Sequence, residues 1–288
     1  MTWRASQVIL RLRSPLHIGC GAVGNLQRTR PYVTGRVLWG ALTMRLTRDA
    51  IRGHRPATDS LKYREVGDQV HQSLAFTYFY PALKVGNDYQ VEWPWQDEST
   101  FRRRFLSSYL ATALSYPAQS AAEGMLHEVE FISPRTLDTG EQVFLEGYMF
   151  EKQGCTLNWQ SNWQSALKRL QMGGERGYGW GDVELVAASP SDENLFDGRA
   201  TFKGDAALPN ICLPQGGRLL AHTKATGLPV IGNVEPLVGR EWRSDDPLRR
   251  YAGQYVAFDD VCFTPGSVVR KELEFVVKEF GMWQALDN

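Results

Sequence analysis

The stretch RTRPYVTGRVLWGALTMRL, Arg28–Leu46, joins a basic proline turn to a helix and decides how the chain is read. Thr34 suits the N-cap, because its hydroxyl can accept one of the free N–H groups of the first turn. Val37, Leu38, Ala41, Leu42 and Leu46 recur at helical spacing, which predicts an amphipathic helix with one buried face. Arg28, Arg30 and Arg36 gather at its N-terminal end, with Trp39 in the same mouth. A helix N-terminus already presents unpaired N–H groups and the positive end of the dipole. Guanidinium groups placed there make a candidate phosphate site. The same residues would also suit an ordinary capped helix whose arginines are simply solvated.

The charge balance favours the phosphate reading. The 288-residue chain has no formal net charge, yet Met1–Pro56 carries ten arginines, no lysine and a single acid, Asp49. Arginine suits bidentate phosphate contact and stacking on bases. A basic segment in a neutral chain points to a local polyanion site. Hydrophobic residues make up 43%, enough for a packed core, in one large domain or two modest ones. No run approaches the roughly 18 apolar residues of a membrane span. The first residues, MTWRASQVILRLRS, read as a strand and not as a signal peptide. Cys20, Cys155, Cys212 and Cys262 form no CxxC pair and suit reduced core thiols of a cytoplasmic protein.

Moving outward from the helix, Gln7–Arg13 alternates like a half-buried strand, and Ser14–Gly35 reads as a loop. Ser73–Leu83 is an aromatic strand ending at Pro81. Asp97–Leu114 reads as a helix with Phe101, Phe105, Tyr109 and Leu110 on one side. Ser115–Gly124 is a small, polar, exposed excursion. Leu126–Ile132 and Gln142–Phe150 are strands, Ser161–Met172 a short helix, and Asp182–Ala188 a closing strand. Without the excursion and one extra strand, the order is strand, helix, strand, strand, helix, strand. That is an α+β, ferredoxin-like (RRM-like) arrangement, whose open sheet carries RNA in many modules. The domain reading is 1–188 for this unit and 189–288 for a β-rich C-terminal lobe punctuated by glycines.

Gly173–Gly181 reads GGERGYGWG. Five glycines in nine residues let backbone amides approach a ligand closely. Arg176, Tyr178 and Trp180 supply one charge and two stacking faces, and Gly174, Gly177 and Gly179 supply the close backbone. This is neither a Walker loop nor GxGxxG. Its bland reading is a helix-to-strand turn whose aromatics cover the core. His17 and His127 could serve an RNA-cleaving enzyme as acid and base, but each also fits a packed histidine beside a strand. Met1–Arg48 has no carboxylate, so the basic site cannot itself hold Mg²⁺. Glu128 and Glu130 share a strand face and suit pairing with arginine better than a metal. No cofactor is expected. Trp93 and Trp95 fit the edge of a core.

Three stretches together resemble the RAMP superfamily of CRISPR-associated proteins. They are SPLHIG at Ser14–Gly19 with Arg30–Leu46, TALS through EGMLHEVEFI within Thr112–Ile132, and the glycine-rich GGERGYGWG. The resemblance covers about Met1–Ala188 and implies a crRNA-binding subunit of a class 1 effector in antiviral defence, with a thumb-like excursion. Within the superfamily the chain looks most like the Cas five group of type III-D and related effectors. Such subunits cap the crRNA 5′ handle, do not cut, and dock on backbone subunits. Backbone subunits of the Cas seven group often carry an aspartate in the loop after the first strand, and Gly19–Arg30 has none. A Cas six-like processing role would rest on His17. A small-ligand-binding ferredoxin-like protein is the reading outside CRISPR. The implied RNA contacts are Arg28, Arg30, Arg36, Trp39, Gly174, Arg176, Gly177, Tyr178, Gly179 and Trp180, with no membrane partner.

Overall fold

The architecture follows from the alternation of the first strand. In a computed structural model that describes residues 2–50, 60–116, 120–154, 162–241 and 255–286, Trp3–Leu12 is one ten-residue strand, β1. Val8, Leu10 and Leu12 point into a core shared with the helices, and Trp3, Ala5 and Ile9 into a second core on the other side. The strand is therefore buried on both faces, not half-buried.

After β1 come the hairpin β2 (Gly19–Val23) and β3 (Leu26–Thr29), then helices α1 (Gly35–Ala50) and α2 (Ser60–Ser73). Strands β4 (Leu74–Phe76), β5 (Tyr80–Val85) and β6 (Asp88–Val91) precede helix α3 (Glu98–Phe105). Next are β7 (Leu106–Ala111), the short pair β8 (Leu114–Ser115) and β9 (Ser120–Ala121), β10 (His127–Ile132) and β11 (Phe144–Lys152). Helix α4 (Trp163–Leu167) and β12 (Val183–Pro190) complete the series. The main sheet runs β12-β1-β11-β5-β6, with β4 also paired to β11 and every neighbour antiparallel. Without the excursion, the order β12-β1-β11-β4 is the split βαβ pair that the sequence predicts. Leu38, Ala41, Leu42 and Leu46 of α1 enter the helix-side core as expected.

Several local readings change. The predicted helix Asp97–Leu114 stops at Phe105. Asp97 caps it, accepting the Thr100 N–H at 3.1 Å, and Phe101 and Phe105 stack at 4.7 Å. At Leu106 the backbone turns extended, and the next residues pair with β10 in register. Strand pairing there outweighs a weak helical preference, and it leaves Tyr109 and Leu110 exposed instead of packed. The predicted loop Ser14–Gly35 contains the β2–β3 hairpin, which joins β10 and β7 in a second sheet ordered β2-β3-β10-β7. The aromatic strand Ser73–Leu83 is two strands, with Pro81 inside β5 and not at its end. Helix α2 has no counterpart in the sequence reading. Tyr116 in the excursion is 82% exposed, and residues 117–119 lie outside the described ones. Cys262 is buried, but Cys20 is exposed and Cys212 intermediate, while Cys155 falls outside the described residues.

The described residues from Asn194 onward form an eight-stranded sheet and a separate two-stranded pair, the β-rich second lobe. It covers the face of the main sheet that an RRM-like domain would leave open. Phe144, Tyr148 and Phe150 of β11 pack with Phe196, Phe202, Ile211 and Phe275 in one core. Phe150 and Phe202 stack at 4.6 Å across this contact, and full burial of such a side chain is worth about 2–3 kcal/mol. Trp93 and Trp95 belong to the same core, as expected. The main sheet is thus not an RNA platform. Among the described residues, no helix is long and apolar enough to cross a membrane.

One carboxylate is caught in this contact. Glu146 is 3% exposed, accepts the Gln7 Nε2–H at 2.9 Å, and its Oε2 has no hydrogen-bond partner among the described residues. Burial, with Asp197 adding to it, pushes its pKa from 4.5 to about 7 against the Gln7 and Tyr148 hydrogen bonds. The folded state therefore binds the extra proton between these values. Stability is greatest below about pH 4.5 from this group, and it falls as pH rises to about 7. The loss amounts to up to about 3 kcal/mol. Glu146→Gln is expected to flatten that decline and to make the protein more stable than wild type at pH 8, as measured by urea unfolding across pH 4–8.

Candidate nucleic-acid interface

The glycine-rich loop is pinned at its base and free at its tip. Gly173 and Gly181 both have positive φ, and a Cβ would meet the His17 carbonyl at 2.3 Å in the first and the Met172 carbonyl at 1.8 Å in the second. The Gly174 N–H donates to the His17 carbonyl at 2.8 Å and the Gly181 N–H to the Pro15 carbonyl at 2.7 Å. Gln171 Nε2 donates to the Arg176 and Trp180 carbonyls, each at 3.0 Å. The base is therefore laced to Pro15–His17, within the SPLHIG stretch. At the tip, Gly177 and Gly179 have open space around them and Tyr178 is 80% exposed. Arg176 lies at the surface with Nη1 3.3 Å from Met44 Sδ.

Trp180 leaves the loop toward the second sheet. Its ring lies edge-on to Phe131 at 5.0 Å and to Tyr109 at 6.2 Å. Val129 is paired with Tyr109, so Phe131, two residues on, shares that face of the sheet. Tyr109 is 59% exposed, and Phe131 and Trp180 are half-buried. Three aromatic side chains thus form one accessible face beside an open glycine tip carrying a fourth. Tyr109 and Phe131 were not among the sequence candidates. Reading Tyr109 as the packed side of a helix hid it.

The predicted arginine cluster does not form. Arg28 Nε binds Glu130 Oε2 at 3.1 Å, in a buried carboxylate that also takes Arg102 and the Thr29 N–H. Glu130 therefore pairs with arginine, as its strand position suggests. Glu128 instead accepts a hydrogen bond from Ser108. Arg30 points the other way, to Glu235 of the second lobe at 2.5 Å. Arg36 lies over the Phe280 ring at 3.8 Å and packs on Gly239. The helix N-terminus is occupied too, because a Cβ on Gly35 would lie 2.0 Å from the Phe280 carbonyl oxygen. The second lobe returns a turn onto the site where phosphate was expected. Trp39 is likewise a packing residue. Its indole N–H donates to the Gly67 carbonyl at 3.1 Å, and its ring stacks on His71 at 5.0 Å.

Arg30 belongs to a buried chain of polar groups between the lobes. Glu235 also accepts from His222 Nε2 at 2.6 Å, and Tyr78 OH lies 2.8 Å from His222 Nδ1. Burial lowers the His222 pKa, so the neutral ring donates from Nε2 and accepts from Tyr78. Burial would raise the Glu235 carboxyl, but the His222 hydrogen bond and the Arg30 charge hold it at about 2.

His17, the candidate acid or base, is 6% exposed. Its Nδ1 lies 2.7 Å from the Glu130 carbonyl oxygen, and its ring fills the space against Gly19 and Gly174. It fastens the loop to β10. His127, on β10, has Nδ1 3.2 Å from the Met125 carbonyl oxygen. Among the described residues no three His, Cys, Asp or Glu side chains converge as a metal site.

No protein-family model and no curated protein matches the chain. Solved structures similar to it include chains of the type III-B Cmr-beta complex. One, from the complex bound to cognate target RNA, is 11% identical with a TM-score of 0.38, over 63% of this chain and 96% of that one. The apo-state structure gives the same values. A third, from the complex bound to cognate target RNA and AMPPnP, is 10% identical with a TM-score of 0.48, over 92% of this chain and 86% of that one.

Proposed function

We propose that the chain is a non-catalytic RNA-binding subunit of a class 1, type III-like CRISPR effector, and that it holds the 5′ handle of the crRNA. The observation that carries this reading is the exposed face of Tyr109, Phe131 and Trp180 beside the glycine loop with Tyr178. Single-stranded RNA is held by stacking bases on such faces, at about 1–3 kcal/mol per base. Open backbone at Gly177 and Gly179 lets a sugar–phosphate chain pass close by. The RAMP-like motifs supply the class of partner, crRNA together with neighbouring effector subunits. The burial of His17 supports a binding role over a cutting one.

The test is a reconstituted complex with handle-containing and handle-deleted guides. One copy per guide, with crosslinks from Tyr178 or Trp180 to handle nucleotides, is the expected result. Several copies that increase with guide length would instead make this a backbone subunit. Trp180→Ala is expected to weaken single-stranded RNA binding by about one to two orders of magnitude, measured by fluorescence anisotropy.

Arg30→Ala and Trp39→Ala are expected to behave differently. Each removes an internal contact, so each should lower unfolding stability by about 3 kcal/mol while the folded protein keeps its RNA affinity. Unchanged stability with lost affinity would return these residues to the RNA site. Incubation with repeat RNA, with and without Mg²⁺, should give no cleavage. Cleavage abolished by His17→Ala would make the protein a processing enzyme.

A further inference from the structure

Where β1 ends, Arg11, Arg13 and Arg135 line an open cleft of about 430 Å³ with Gln142 and Glu184. Three arginines thus share the cleft with Glu184, and a second carboxylate, Asp182, pairs with Arg13 at its rim. Gln142 makes the wall rigid, because its Nε2 lies within 2.7–3.0 Å of the Leu12, Pro134 and Val143 carbonyl oxygens. Its Oε1 then accepts from Arg11 Nε at 3.1 Å and aims that side chain. Arg135 Nη1 is fixed by the Gly140 carbonyl at 2.9 Å, and Arg13 Nε lies 3.4 Å from Asp182 at the rim. Arg11 Nη1 is 3.7 Å from Glu184. These contacts take one or two of the five N–H donors on each fork. The ion pairs are half-exposed and contribute little stability, so folding alone gives weak reason for three arginines here.

The cleft is close along the chain to the aromatic face. Arg135 follows Phe131 by four residues and Glu184 follows Trp180 by four, a span of no more than about 14 Å. Arg13 bonds one of these segments, its N–H donating to the Asp182 carbonyl at 3.0 Å, and lines the cleft with Arg135 of the other. We propose that this cleft is a phosphodiester-binding site for the RNA strand whose bases stack on Tyr109, Phe131 and Trp180. The inference rests on the RNA-binding reading and extends the contact from bases to backbone. It also moves the phosphate contacts away from the mouth of α1.

The experiment measures binding of a labelled single-stranded RNA across a series of salt concentrations. Combined Arg11→Gln, Arg13→Gln and Arg135→Gln should flatten the slope of log affinity against log salt by about 2, because each lost phosphate contact removes about 0.7. Trp180→Ala should weaken binding with the slope unchanged. Glu184→Gln removes the opposing carboxylate and should tighten binding about threefold. This single change decides the matter if the triple variant does not fold. Wild-type binding that neither the arginine changes nor Glu184→Gln alters would overturn the cleft and leave the aromatic face standing. A wild-type protein that binds no RNA would overturn both.

Discussion

The nine-residue antiparallel pairing of β1 with β11 is the constraint on which everything else depends. Both strands send alternate side chains into different cores, so a slip of one residue would exchange the contents of the two. Val8, Leu10, Leu145 and Met149 face the helices, while Ile9, Tyr148 and Phe150 face the second lobe. A sheet buried on both sides cannot also be a binding surface. Exposed aromatic side chains are found instead on the smaller β2-β3-β10-β7 sheet, where the proposed RNA face lies.

That displacement accounts for the fate of the arginines near α1. In an isolated ferredoxin-like unit Arg28 would still pair with Glu130, but Arg30 and Arg36 would lose Glu235 and Phe280. In the two-lobed protein, Glu130, Glu235 and Phe280 each take one of them. Their common sign is useful for assembly, because it meets acidic and aromatic partners contributed by three separate elements. The exposed arginines at the end of β1 lack such buried partners.

Much of this was legible in the sequence, and the limits have physical causes. Helical periodicity placed α1 and its buried residues, and the order of apolar segments gave the four-strand core. The glycine loop was recognisable from composition, although its attachment to Pro15–His17 depends on backbone contacts that no spacing encodes. Tyr109 was misplaced because Phe101, Phe105 and Tyr109 fit one helical stripe. Only the pairing of Leu106–Ala111 with β10 makes the last of them part of a sheet. The partners of Arg30 and Arg36 lie some two hundred residues away or more, beyond any local reading.

The contact between Gly35 and the Phe280 carbonyl also bears on the order of events during synthesis. The N-terminus of α1 is covered by a turn formed almost at the end of the described chain, and Trp283 donates its N–H to the His222 carbonyl at 3.0 Å nearby. A ribosome releases α1 long before it releases that turn. Through most of translation, the second face of the main sheet is bare and Arg30 lacks Glu235. The first lobe cannot reach its native packing as an independent early unit. Closure waits for contacts of very long sequence separation, which fold slowly and leave apolar surface exposed in the interval. Until the second lobe closes, the aromatic side chains of β11 that it covers, Phe144, Tyr148 and Phe150, lie open to water.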